Sequence, residues 1–215
     1  MNKIRKKTEY FKSITVECPR LQIYSRLGFA RGKTKLSTEK KKRLDALIDE
    51  AVALINLKAA AQEIAVKRLA EDRGEIFLEG RTVLKSRSLL KLVSGSQSLM
   101  FLAATAGSRI IRKIRSAEKQ GRMEEAVVWD AAAGEITDRA LDWLMLYYNN
   151  KLRRENLVLT KRRFSPGYGD LNLSVQKIIF RRLNLKKIGL KLTNNFQLVP
   201  EKSVTAIAGV TDPGR

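Results

Sequence analysis

An α+β domain, with helices packed against a mixed or antiparallel sheet, is the fold class that three observations predict. Apolar residues recur at three- and four-residue steps over Leu44, Leu47, Ile48, Ala51, Leu54 and Ile55, and again through Val127, Val128, Ala131, Ile136, Leu141, Leu144 and Met145. Between and beyond these lie short apolar stretches of strand length, including a continuous run over 99–106. A chain of 215 residues with 44% apolar content can bury one sizeable core, and its length does not demand two. Elements of both periods sharing one core pack as layers.

Taken in order, a basic N-terminal segment over 1–20 leads into the body of the domain at 21–210, with a short tail at 211–215. Ile14 and Val16 suggest a strand or loop, and Pro19 and Gly28 bracket a short helix over 21–27. Ser37 is placed to cap the helix that carries Leu44 to Ile55. From 59 to 84 the pattern reads as two short strands, with Ile64, Val66, Ile76, Phe77 and Leu78 broken by Asp72, Gly74 and Gly80. A short helix over 84–93 ends at Ser94-Gly95-Ser96. The strand at 99–106 then meets Gly107, which opens the next helix; the glycine serves either a tight turn or the close approach of a ligand or another backbone. Helices over 108–120 and 122–153 flank Gly121, and Trp129, Trp143, Tyr147 and Tyr148 on the second read as core or rim packing. A loop at 161–170, a helix from about 173 to 183, and strands near 188–192 and 203–210 complete the chain. No linker, internal repeat or heptad array divides it, so one domain is expected.

Composition excludes several chemistries. The sequence contains no histidine, which removes Ser-His-Asp and Cys-His catalysis, HExxH zinc sites and imidazole ligation of cobalt. Cys18 is the only cysteine, so there is no internal disulfide and no cysteine-cluster metal site, and it reads as a small packed residue. Lys and Arg outnumber Asp and Glu by 43 to 22, a field that attracts an anionic partner, nucleic acid or an acidic protein surface, against a reading as solubilising charge spread along the chain. Met1 to Lys7 lead into no long apolar run, and no stretch is long enough to span a membrane, so a cytoplasmic location is expected.

The segment Lys161-Arg162-Arg163-Phe164-Ser165-Pro166-Gly167-Tyr168-Gly169-Asp170 has the composition of a binding loop. Pro166 fixes its own φ, while Gly167 and Gly169 allow conformations that let a ligand lie on the backbone. Arg163 can fork onto a carboxylate, Tyr168 can stack or hydrogen-bond, and Asp170 can pair with a cation. A sulfonium amino-acid cofactor offers a carboxylate, a cation and an adenine face. On composition alone a rigid surface turn is an equal reading.

The run from Arg163 to Tyr168 resembles the Arg-x-x-x-Gly-Tyr signature of the activation (reactivation) domain of cobalamin-dependent methionine synthase, and with Asp170, Leu173 and Gln176 it is closer to stand-alone relatives of that domain. Tyr24 to Phe29, Ala103 to Gly107, Ile188 to Thr193 and Pro200 to Ser203 extend the resemblance over roughly 20–210. It implies the fold of that domain and a cofactor site for S-adenosylmethionine built from Arg163, Ser165, Pro166, Gly167, Tyr168 and Asp170, with the arginine on the cofactor's carboxylate. It implies a non-autonomous component of methionine synthase activity: a positioning role in the reductive methylation of cobalamin, held by a separate corrinoid protein or cobalamin-binding module, with an electron donor such as a flavoprotein. The full-length enzymes continue Gly-Tyr with Pro-Ala, where this chain has Gly169-Asp170. Glu135 and Asp142 are candidate acidic neighbours on the preceding helix, against a reading as solvated helix-face charges. Two other readings stand beside this one: a basic nucleic-acid-binding protein, suggested by the clusters at 40–43 and 181–187, and a scaffold that has lost cofactor binding.

Overall fold

The computed structural model describes residues 7–29 and 34–214, so the first six residues of the basic start and the last of the tail lie outside the described residues. In chain order the elements are β1 (Glu9–Phe11), α1 (Arg20–Arg26), α2 (Thr38–Leu54), β2 (Lys58–Ala70), β3 (Glu75–Leu78), β4 (Thr82–Lys85), α3 (Arg87–Leu92), β5 (Ser98–Thr105), α4 (Ser108–Lys119), α5 (Met123–Leu152), β6 (Val158–Leu159), α6 (Val175–Arg182), β7 (Lys191–Leu192), β8 (Leu198–Val199) and β9 (Ser203–Thr211). Short 3-10 turns follow α5 at Arg153–Glu155 and α6 at Leu185–Ile188.

The sheet is organised around β5, the continuous apolar run, in which every residue is buried. A strand covered on both faces has no reason to alternate apolar with polar. Its neighbours β2 and β9 are both antiparallel to it, and the sheet runs β4-β3-β2-β5-β9-β6 with β1 beside the first half of β2. Successive residues of β5 supply two cores: Met100, Leu102 and Ala104 face α1, α2, α4 and α5, while Leu99, Phe101 and Ala103 face α3, α6 and the 3-10 turn after it. Small residues at Ala59, Ala61, Ala104, Ala206 and Ala208 let the first helix layer lie close to the sheet. The architecture is therefore α+β, one domain, with helices against an antiparallel sheet.

Local signals explain the helices. The Ser37 hydroxyl accepts from the Lys40 amide at 3.2 Å and starts α2, and the φ of +81° at Gly107 starts α4. A Cβ on Gly107 would stand 3.3 Å from the Asn56 carbonyl oxygen, so this glycine answers a close backbone approach. Ile110, Ile111, Ile114 and Ala117 give α4 its buried face. At about 1.5 Å per residue the 30-residue α5 is about 45 Å long, and it crosses the sheet to end near β6.

Three of the expected elements take a different form in the structure. The two short strands expected over 59–84 are a 13-residue strand and a hairpin, β3–β4. Lys58 to Ala61 lacks the β-branched residues that signal a strand, and pairing on both sides imposes the extended form; a register shift between Val66 and Arg68 then breaks the alternation. The helix expected over 84–93 is confined to α3, because Thr82–Lys85 is β4. The strand near 188–192 shrinks to β7, paired with β8 in a separate two-stranded ribbon.

Candidate functional site

The loop at 161–170 runs along the edge of the sheet beside β9. Phe164 forms an antiparallel bridge with Ile207, each amide donating to the other's carbonyl at 2.8 Å. Upstream, the Thr160 amide donates to the Gly209 carbonyl at 2.9 Å and its hydroxyl accepts from the Gly209 amide at 3.0 Å. The loop is thus pinned to β9 before its candidate residues begin. Beyond them the Gly167 amide donates to the Leu171 carbonyl at 2.8 Å, and the Leu171 amide returns to Tyr168 at 3.0 Å, closing a tight turn. Gly167 at φ +91° and Gly169 at φ +53° hold the left-handed conformations that this turn requires. Pro166 is buried, whereas Tyr168 is 71% exposed.

Arg163 sits between the loop and α5. Its Nη1 donates to Asp142 at 2.5 Å and its Nη2 to Asp138 at 2.8 Å, and only 21% of its side chain is exposed. Burial alone depresses a guanidinium's pKa, but the hydrogen bonds to Asp142 and Asp138 outweigh it and hold Arg163 above the ordinary arginine value. Of the two acidic neighbours named from the sequence, Asp142 is at the loop and Glu135 is not: Glu135 accepts from Arg26 at 2.5 Å. Asp138 was missed. Its signal was its spacing, since a residue four before Asp142 falls on the same helix face.

Asp170 points away from Arg163 and onto the start of α3. Its carboxylate accepts from the Ser86 hydroxyl at 2.6 Å, the Arg87 amide at 2.6 Å and the Ser88 amide at 3.2 Å. The Ser86 hydroxyl, against a smaller burial effect, together with these amides holds the carboxyl near pKa 2. Gln176 is buried and accepts from the Thr205 hydroxyl, which ties α6 to β9 beneath the loop. The candidate residues therefore divide into a charged group at α5 (Arg163), a turn with a buried proline and an exposed tyrosine (Ser165 to Tyr168) and an anchor (Asp170).

Other features lie elsewhere. Tyr24 and Phe29 line a cavity of about 880 Å³ between α1 and α2, which includes no residue of the 161–170 loop. Its polar wall is internally satisfied: Asp45 accepts from Tyr24, Arg20 and Lys41. Cys18 is half-buried, and burial pushes its thiol up rather than toward thiolate. Trp129 and Tyr148 are buried, and Trp143 stacks on Tyr147 at 5.4 Å with Phe11 edge-on to both. Among the described residues no helix is long and apolar enough to cross a membrane.

No protein-family model matches the chain, and no curated protein does. Among solved structures it is similar to the MetH reactivation domain in a crystal structure bound to AdoHcy, with a TM-score of 0.68 and 17% identity over 98% of this chain and 80% of that one. At that identity the likeness establishes the fold.

Proposed function

We propose that this chain holds S-adenosylmethionine at the 161–170 loop and supports reductive methylation of a cobalamin carried by a separate corrinoid protein. The supporting observation is the grouping of Arg163 with Asp138 and Asp142, in a fold shared with a domain whose structure holds AdoHcy. A guanidinium has five N–H donors, and two are taken by the aspartates, so donors remain for the cofactor's carboxylate. The aspartate oxygens match its ammonium. Gly167 and Gly169 lie at the surface in the left-handed conformations of the turn, and the exposed Tyr168 ring offers a face to the adenine. The residues present thus fit the cofactor, with Ser165 to Tyr168 lying along it.

Asp170 gives the Gly169-Asp170 departure a physical role, because it fixes the end of the loop to α3 by hydrogen bonds. S-adenosylmethionine bound here would supply an electrophilic methyl group on sulfur. The chain's own share is binding and orientation: Arg163 and the α5 aspartates hold the amino-acid end, and the pinned turn keeps the rest in a fixed pose against a docked partner. Having no histidine, the chain relies on that partner for cobalt ligation and on a donor such as a flavoprotein for the electron. Calorimetric titration with S-adenosylmethionine tests the binding step. Saturable one-site binding to wild type is expected, weakened in Arg163→Ala by about 1.5–3 kcal/mol, the usual worth of a hydrogen bond to a charged group. Equal affinity in the two proteins removes Arg163 from the site.

A further inference from the structure

Charge is distributed unevenly between the elements that cover the two faces of the sheet. The four helices over the first core, α1, α2, α4 and α5, contain thirteen Lys and Arg against eleven Asp and Glu. Ion pairs knit that layer internally: Arg20 with Asp45, Arg26 with Glu135, Arg43 with Glu124, Lys113 with Glu50. Over the second core the balance is different. Residues 80–97 contain four basic residues and no acidic one, and residues 171–200 contain six and none. These two segments cover the same sheet face, with Leu89 and Leu90 of α3, Val175 and Ile179 of α6, and Leu185 and Ile188 of the 3-10 turn all in one core. They also touch directly, where Arg182 donates to the Thr82 hydroxyl at 2.7 Å beside Arg81 in the β3–β4 turn. Arg81, Lys85, Arg87, Lys91, Lys177, Arg181, Lys186, Lys187 and Lys191 are exposed, and among the described residues none is ion-paired. The acidic residues that flank the two segments in sequence are Glu79, Asp170, whose carboxylate accepts from the start of α3, and Glu201, which pairs with Arg115.

We infer that this face binds the phosphate backbone of duplex nucleic acid without reading its sequence. Ten cations in these two segments, against a near-balanced set of helices on the other layer, cost electrostatic self-repulsion that a polyanion relieves. A protein-binding patch is depleted of charge at its centre and enriched in aromatic residues, and this face has neither property. A single strand needs exposed rings on which bases stack, and the only aromatic residues of the two segments, Phe180 and Phe196, are half-buried. Phosphate neutralisation asks only for cations on a broad surface, and Lys177 and Arg181, one helical turn apart, begin such a row. The inference is independent of the cofactor loop.

Fluorescence anisotropy with a labelled duplex of about 20 base pairs, at 50–200 mM salt, tests it. Wild type should bind with affinity that falls steeply with salt. The variant Lys177→Gln/Arg181→Gln/Lys186→Gln/Lys187→Gln should bind at least about tenfold more weakly at 100 mM salt, with a log–log salt slope shallower by about 3.6, about 0.9 per cation removed. The matched variant Lys42→Gln/Arg109→Gln/Arg112→Gln/Lys119→Gln, exposed on the other layer, should stay within about twofold of wild type. Equal losses in both variants, or no loss in the first, overturns the inference. So does competition by poly-glutamate as effective as by duplex, which reassigns the face to an acidic protein, or tighter binding of a single strand of the same length.

Discussion

At the residue scale, Arg163 and Asp170 do different work although both stand in one short loop. Arg163 is drawn inward by two carboxylates of α5, and Asp170 outward onto the first amides of α3. The choice of ligand types was legible in the sequence, because an arginine, glycines, a tyrosine and an aspartate within ten residues define a chemistry. Their partners were not, since Asp138 and Ser86 are 25 and 84 residues away along the chain. Asp170 supports a pH prediction. Its folded pKa, about 2, lies below the ordinary 3.8, so the tether contributes fully above about pH 4 and is lost as pH falls toward 2. The difference in urea midpoint between wild type and Asp170→Asn should be largest above about pH 4 and vanish near pH 2. A difference constant across that range shows that the ionised carboxylate is not what holds the loop.

At the scale of elements, the long periodic segments were readable and the short paired ones were not. α2, α4 and α5 follow from apolar spacing with Ser37 and Gly107 as start signals, and β5 from its unbroken apolar run. β1, β6 and β8 are two or three residues long and exist because a neighbouring strand offers a free edge, which no local pattern encodes. β9 was legible in extent, but the role of Gly209 within it emerges only from packing. A Cβ there would overlap the Ser96 hydroxyl and lie 2.9 Å from Thr160 Cγ2, at the point where the 161–170 loop is pinned. Gly209→Ala should therefore destabilise the fold by about 1–3 kcal/mol, the usual range for overpacking, as read from urea unfolding. A midpoint unchanged from wild type means that the sheet edge can yield at no cost.

At the scale of the whole molecule, one sheet separates two layers of different electrostatic character. The near-neutral layer carries Asp138 and Asp142 to the sheet edge, where Arg163 meets them; the basic layer receives Asp170 at α3. The loop is therefore suspended between the two layers and fastened to both. The total charge was visible from composition, but its sidedness was not, because 80–97 and 171–200 are distant in sequence and adjacent only in the fold. The fold class was legible because two periodicities and one continuous apolar run leave few layered arrangements.

The most direct test of the proposed function is spectroscopic. The cobalamin-binding module of a methionine synthase, in its cob(II)alamin form with a chemical reductant and S-adenosylmethionine, should convert to methylcobalamin when this chain is added, and Arg163→Ala should abolish the gain. Conversion at the same rate with and without the chain contradicts a role in reactivation.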